Sequence, residues 1–336
     1  MPFPTRSLGR NGPQVPAVGL GLMSLGSIYG SAGSLEDKVA FLEHAHSIGA
    51  RFWDTADIYF DSEDAVGEWI RRSQNRDDIF LATKFALQYD IAAGTQTIHS
   101  DPDYVKTACD KSLQRLGVDS IDLYYCHRVD GVTPIEKTIQ AMVELKNQGK
   151  IKHLGLSECS TSTIRRAHAI HPISAYQVEY SPFALEIEIS TILETCRELG
   201  IAIIAYSPIG RGILTGHIQS IADLPATDFR RMLPKYAAEN FPKIRALVQG
   251  LTHIAKSHDS TPAQIALAWI LAQGSDIIPI PGTKSIQRLE ENARSVEIRL
   301  TDRELEEIRM LVQAGVPGTR YPAVMMDGVL GETPPL

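Results

Sequence analysis

The chain has 336 residues, 43% of them hydrophobic, and a formal net charge of -7. That is enough apolar material for a large core, and the negative balance argues against a general nucleic-acid surface, which needs a basic field. Four widely spaced cysteines, no apolar run of membrane-spanning length and no secretory h-region predict a cytoplasmic protein with free thiols, no membrane span, no structural metal and no disulfide frame.

Leu8 to Val15 places an Asn11-Gly12 turn between apolar flanks and predicts a small hairpin. Residues 15–21 predict a buried strand, followed by a Gly- and Ser-rich loop to Gly33. The chain then alternates. Helices are predicted over 35–48 (capped by Ser34), 62–72, 101–116 (Asp101 as cap, Pro102 at the first position), 134–147 (Thr133 as cap), 161–169 and 188–199. Strands fall between them over 51–53, 79–84, 121–126, 151–156, 173–178 and 201–206. A loop rich in Gly, Pro and charge covers 207–241. Helices over 242–258 and 262–272, a strand over 277–280, and helices over 285–294 and 301–312 follow. The tail from Gly315 holds four of the 19 prolines, which predicts an irregular arm.

Regular alternation of strand and helix means parallel strands with right-handed crossovers. A doubly wound sheet and a closed barrel both satisfy it. The count of eight strands, and the lack of a Gly-x-Gly-x-x-Gly turn after an early strand, favour the barrel. The expected fold is a single-domain (β/α)8 TIM barrel over 1–336. It carries an N-terminal β-hairpin, extra C-terminal helices and a long loop after strand seven.

In such a barrel the strand ends share one face. The ends of strands two, three and four bring Asp54, with Tyr59 just beyond, Lys84 and His127. This set suits neither a metal site nor a Ser-His-Asp triad. It suits a tuned proton donor. A lysine ammonium beside Tyr59 favours the phenolate and lowers its pKa toward neutrality, Asp54 supplies the lysine's counter-ion, and His127 polarises a substrate oxygen. Asp57, equally charged, reads as a loop hydrogen-bonding residue.

Three stretches carry a family resemblance. Gly49-Ala-Arg-Phe-Trp-Asp54-Thr55-Ala56-Asp57-Ile-Tyr59 with Ser62-Glu63 to Gly67 resembles the first motif of the aldo-keto reductases. Ser112 through Asp122 to His127 resembles the second, and Pro279 to Ser285 with Arg288 to Asn292 the third. His127-Arg128-Val129-Asp130 is similar to a branch acting on small aldehydes and ketones. Two positions depart from the pattern: Phe60 where many members have Gly, and Glu158 where Asn is common.

The resemblance implies NADPH-dependent reduction of a small-molecule carbonyl. Asp54, Tyr59, Lys84 and His127 would be catalytic, with Tyr59 as general acid. Ser157, Glu158 and Gln177 would meet the nicotinamide carboxamide, and Tyr206 would stack on its ring. Ser207, Pro208, Ile209, Gly210 and Gly212 would cover the pyrophosphate, with Gly282 and Thr283 close by. Lys284 and Arg288 would hold the 2'-phosphate, and Glu291 and Asn292 the adenine. Gly21 and Met23 would touch the ribose. Tyr29, Phe85, Arg128 and the Phe229 region, with Tyr59 and His127, would line the substrate pocket. Arg230-Arg231 is a weaker candidate for closing over the pyrophosphate.

Two other functions compete. A cofactor-binding regulatory subunit on the same barrel, like the β-subunits of potassium channels, would turn over slowly, but those subunits carry Asn where this chain has His127. A hydrolase barrel would need a strand-end carboxylate pair, for which Asp54 and Glu158 are the candidates.

Overall fold

The computed structural model describes residues 3–27, 30–90, 95–313, 315–326 and 329–336, without the side chains of Asp90 and Val324. The chain enters through an antiparallel hairpin of β1 (Thr5–Ser7) and β2 (Gln14–Pro16). Leu8 and Val15 are fully buried and pack on Phe52, Ala82, Leu123, Ala175 and Ala202. The hairpin therefore plugs the end of the barrel at which the strands begin. The strand expected over 15–21 is broken: the Ala17 N–H bonds back to the Pro4 carbonyl at 2.8 Å, and only β3 (Leu20–Gly21) joins the barrel.

The elements then run α1 (Leu35–Ser47), β4 (Phe52–Asp54), α2 (Ser62–Ser73), β5 (Phe80–Phe85), β6 (Leu87–Asp90), β7 (Thr95–Ile98), α3 (Pro102–Leu116), β8 (Ile121–Cys126), α4 (Ile135–Asn147), β9 (Ile151–Ser157), α5 (Thr161–Ile170) and β10 (Ala175–Glu179). They continue as α6 (Glu186–Ile189), α7 (Ile192–Leu199), β11 (Ala202–Tyr206), α8 (Phe241–Ser257), α9 (Pro262–Ala272), β12 (Ile277–Pro279), α10 (Ile286–Arg294) and α11 (Asp302–Gln313).

Eight strands form one parallel sheet in the order β12-β11-β10-β9-β8-β5-β4-β3. Its ends meet. The Gly19 N–H donates to the Pro279 carbonyl at 2.9 Å, the Gly21 N–H to the Pro281 carbonyl at 3.2 Å, and Gly21 pairs with Gly282. A Cβ on Gly21 would lie 2.8 Å from the Ile280 carbonyl oxygen, so this seam needs a glycine. The result is a (β/α)8 barrel with its helices outside. No helix among the described residues is long and apolar enough to cross a membrane.

Caps behave largely as the sequence predicts. Ser34 and Asp101 accept the N–H groups of Asp37 and Tyr104. Thr133 does not cap α4, because its hydroxyl donates to Asp130 at 2.7 Å. The helix expected over 188–199 is two pieces, since Ser190 takes an extended conformation between α6 and α7. The antiparallel pair β6–β7 is a hairpin that the sequence reading leaves as loop. The loop over 207–241 is built from successive 3-10 turns.

Side-chain parity decides what faces the barrel interior. On β5, Ala82 joins the inner cluster, while Leu81 and Phe85 pack among the helices. On β8, Leu123 and Tyr125 are inner, and Tyr124 and Cys126 outer. The same alternation turns Asp54, Lys84, Ser157, Gln177 and Tyr206 inward at the strand ends.

Candidate active site

Asp54 and Lys84 meet inside the barrel mouth. The Lys84 ammonium, fully buried, donates to Asp54 Oδ1 at 2.5 Å and to the Thr55 carbonyl at 2.6 Å. Gln177, across the barrel on β10, donates to Asp54 Oδ2 at 2.8 Å. Burial pushes the Asp54 carboxyl up against the pull of Lys84. For Lys84, burial pulls downward, but Asp54 and Tyr59 outweigh it, so the ammonium is held charged.

Tyr59 and His127 complete the group. The Lys84 nitrogen lies 5.1 Å from the Tyr59 ring centre, and the Tyr59 and His127 rings meet edge to face at 5.9 Å. The Tyr59 phenol is shifted up from its ordinary value, not down. Burial is the largest cause, Lys84 and Arg128 oppose it, and Asp54 reinforces it. The expected drop toward neutrality is therefore corrected: desolvation of a phenolate in the closed mouth exceeds what one ammonium already paired to Asp54 returns. His127 is pushed well below its ordinary value by burial, Lys84 and Arg128, so its imidazole is neutral. Its Nδ1 is buried without a hydrogen-bond partner among the described residues.

The loop carrying Tyr59 is braced from α3. Arg115 donates to the Asp57 carbonyl at 3.1 Å, to Glu63 at 3.1 Å, to Asp64 at 2.7 Å and to the Phe60 carbonyl. Phe60 sits at φ 46, the left-handed region, which accounts for Gly being common there in the family it resembles. The Asp57 carboxyl accepts a backbone hydrogen bond from Ile58, as a loop residue would. Its Oδ1 has no partner among the described residues, and burial with Glu63 nearby pushes its carboxyl up to about 8.

The expected cofactor contacts fall in three groups. Gly21 and Gly282 form the barrel seam with Met23 and Thr283 beside it. Ser157, Gln177 and Tyr206 end β9, β10 and β11, and Ser207 to Gly212 follow directly. Within that loop Ser207, Gly210 and Gly212 have φ of 49, 55 and 91, and the Gly210 and Gly212 N–H groups donate to the Ser207 and Ile209 carbonyls at 2.9 and 3.1 Å. Lys284 and Arg288 lie at the start of α10, both exposed, with Lys284 donating to the carbonyls of Gly30 and Ser31 at 3.2 and 2.6 Å. Glu291 accepts the Thr261 hydroxyl at 2.6 Å, and Asn292 is buried on the same helix.

Three expectations change. Tyr29 lies outside the described residues. Phe85 cannot line the pocket: it is 0% exposed and stacks on Tyr124 at 5.0 Å, because it follows inward-facing Lys84 and so points to the helices. Arg231 donates to the Ile221 and Leu224 carbonyls at 2.7 and 2.9 Å, and Arg230 holds Asp228, so this pair ties its own loop together. Phe229 packs half-buried against the core in that loop.

Glu158 is the centre of a network that sequence reasoning missed. It has φ 49 and is 0% exposed. Arg320, from the C-terminal arm, grips it bidentately at 2.7 and 2.8 Å, and the Tyr206 hydroxyl donates to it at 2.8 Å. Arg211 donates to Glu179 at 3.0 Å and to the Tyr321 hydroxyl at 2.9 Å. Burial would raise the Glu158 carboxyl, but the bonds and charge of Arg320, with Arg128 and Tyr206, hold it below the ordinary value. Glu158 is therefore committed to Arg320 and Asp54 to Lys84, so neither of the two carboxylates a hydrolase would use stands free. The only sequence signal for Arg320 was a charged residue in a Pro- and Gly-rich tail.

An eight-stranded (β/α)8 barrel with a buried lysine–aspartate pair beside a tyrosine and a histidine at its mouth is the arrangement the structure presents. Comparison with known proteins gives the family. The model of the Aldo/keto reductase family matches residues 17–313. The chain is 49% identical to the aldo-keto reductase str7 of Strobilurus tenacellus, over 100% of this chain and 99% of that one. It is 47% identical to the aldo-keto reductase yakc of Schizosaccharomyces pombe, whose name carries NADP(+), with the same coverage. Among solved structures, the glycerol dehydrogenase of Gluconobacter oxydans matches with a TM-score of 0.84 and 27% identity, over 96% of this chain and 98% of that one. An aldo-keto reductase of Klebsiella pneumoniae, solved with NADPH, matches with a TM-score of 0.72 and 25% identity, over 94% and 98%. The chain belongs to the aldo/keto reductase family.

Proposed function

We propose that this chain is an NADPH-dependent oxidoreductase that reduces aldehyde and ketone carbonyls to alcohols, with Tyr59 as the proton donor. The observation that carries this reading is the buried Lys84–Asp54 pair set beside Tyr59 and His127 at one barrel end. The chemistry follows from the electrostatics. Tyr59, shifted up, stays protonated at neutral pH and can give its proton only to a stronger base. A carbonyl oxygen becomes that base as negative charge develops on it. Charged Lys84 then stabilises the phenolate left behind, and Asp54 keeps Lys84 in place. Neutral His127 donates an N–H to the same oxygen. With Nδ1 sealed off and unpartnered, the proton belongs on Nε2, because a buried N–H without an acceptor is costly.

The donor set fits a dinucleotide phosphate. The glycines at 210 and 212 let the backbone come close to a pyrophosphate, and the two cations at the start of α10 suit a terminal phosphate. When bound, the cofactor supplies the hydride. Ser157 and Gln177 would orient its carboxamide and Tyr206 would pack on its ring. The NADP(+) in the name of the fission-yeast relative and the NADPH held by the Klebsiella structure support this choice. Glu158, locked by Arg320 and Tyr206, would act on the carboxamide mainly by fixing Tyr206. The test follows NADPH oxidation with 4-nitrobenzaldehyde. Tyr59→Phe should lower kcat by about 10²–10⁴ while cofactor affinity holds. Retention of most of the activity by that variant would overturn the assignment.

A further inference from the structure

Three cationic side chains of the barrel mouth are each matched by a carboxylate: Lys84 by Asp54 at 2.5 Å, Arg211 by Glu179 at 3.0 Å and Arg320 by Glu158 at 2.7 Å. Arg128, the residue after His127, forms no ion pair among the described residues. Its Nη1 donates to the His127 carbonyl at 2.6 Å and to Ser157 Oγ at 3.2 Å, both neutral acceptors. Its Nε and Nη2 have no acceptor among the described residues, and neither is a sealed-off polar atom, so that edge meets solvent. The same Nε–Nη2 edge grips carboxylates side-on elsewhere in this chain: Arg71 on Glu68, Arg166 on Glu136 and Arg230 on Asp228.

The placement of this free edge matters. The charge of Arg128 is felt by both Tyr59 and His127. Glu158 feels it too. Arg128 is thus fixed beside His127 and the end of β9 by its bonds to the His127 carbonyl and Ser157. Against the cost of burial, Tyr206, Glu158 and Tyr321 favour the charged form of Arg128, but none of them is in direct ion-pair contact with it, and its planar fork matches a carboxylate bidentately. The expected phosphate contacts lie after β11 and β12, so the cofactor has its own cations.

We infer that Arg128 is the recognition point for a carboxylate on the carbonyl substrate, so that the enzyme acts on aldehydes or ketones that carry a carboxylate. This rests on the reading of Tyr59 and His127 as the carbonyl site. A substrate carboxylate would complete the charge balance of the mouth and fix the carbonyl at a set distance from His127. Neutral aldehydes would lack that anchor.

The test compares 4-carboxybenzaldehyde with its neutral isostere methyl 4-formylbenzoate at saturating NADPH. The unmodified enzyme should favour the acid in kcat/KM by about tenfold or more, through KM, as one charged hydrogen-bonded pair would give. In Arg128→Gln that ratio should fall to about 1, and Arg128→Lys should keep part of it. A ratio near 1 in the unmodified enzyme, or an equal loss on both substrates in Arg128→Gln, would overturn the inference. So would a variant whose main defect is KM for NADPH. Calorimetry on the unmodified protein, with and without NADP(+), gives a readout independent of turnover: benzoate should bind and benzamide should not. If neither aldehyde is reduced but benzoate binding is present and lost in Arg128→Gln, the reductase reading falls and the carboxylate site stands. If benzamide binds as well as benzoate, the carboxylate site falls, whatever the turnover.

Discussion

Replacing Arg320 with Met should destabilise the protein in a way that only a buried ion pair explains. The Glu158 side chain is 0% exposed and that of Arg320 4%. With the guanidinium gone, the carboxylate keeps, among the described residues, the Tyr206 hydroxyl at 2.8 Å, the Glu179 N–H at 3.2 Å and the more distant charge of Arg128, which forms no ion pair with it. Breaking a buried ion pair by removing one partner costs about 3–5 kcal/mol. With about 2.1 cal/mol/K of unfolding entropy per residue, that lowers Tm by about 4–7 °C. The pH dependence separates this from lost packing. In the unmodified chain the folded pKa of Glu158 lies below its ordinary 4.5, so the pair's stability is present above that value and is lost as pH falls through the folded pKa. In the variant Glu158 loses its main partner and its folded pKa rises. The deficit should therefore be largest at neutral pH and shrink as Glu158 takes a proton. Glu158→Gln added to Arg320→Met should recover much of it. Thermal melts across pH 4.5–8 provide the check. A loss under about 1 °C at pH 7, or a deficit independent of pH and unrelieved by Gln, would refute the reasoning.

Three further outcomes follow from the geometry. Lys284→Ala with Arg288→Ala should raise KM for NADPH by about tenfold or more while KM for NADH moves little, since two phosphate cations are removed; equal effects on both cofactors would remove the 2'-phosphate assignment. Asp57→Asn should be more stable than the unmodified chain in denaturant at pH 7–8. The folded carboxyl, at about 8, holds a proton that the unfolded chain releases near 3.8, so the stability it contributes is full below the lower value and is lost as pH rises to the upper one. The two proteins should converge near pH 4, and a pH-independent difference would count against it. The rate profile of carbonyl reduction should lack an acid limb near pH 6.5, because His127 is already neutral there; such a limb, abolished in His127→Gln, would contradict the assigned state.

Strand ends and their spacing made much of the mouth legible. Asp54, Lys84 and His127 could be read because a parallel barrel sends its strand ends to one face, and three motifs in order named the rest. Phe85 shows the limit of that reading: one step along β5 reverses the side chain, and proximity in sequence to Lys84 placed it on the wrong layer. The β6–β7 hairpin was missed because Leu87-Gln-Tyr-Asp and Thr95-Gln-Thr-Ile98 carry too little apolar alternation to stand out. The break at Ser190 was hidden inside a pattern that helical periodicity alone satisfies. Arg320 on Glu158 joins residues far apart in the chain, and no local pattern reports such a pair. The direction of the Tyr59 shift was misjudged for a related reason: the sequence names the neighbouring charge, whereas the cost of burial belongs to the assembled mouth.

The seam where Gly21 meets Gly282 also bears on the order of assembly. Every other neighbouring pair of barrel strands is adjacent in sequence order along the barrel, but this one joins the first strand to the last. A chain emerging from the ribosome can stack its early strands and helices long before the final strand exists to close the ring. Closure of so long a loop is slow compared with local pairing. Gly21 and Gly282 are both expected at the cofactor, so a dinucleotide bridging them would clasp the last-formed contact and hold the ring shut.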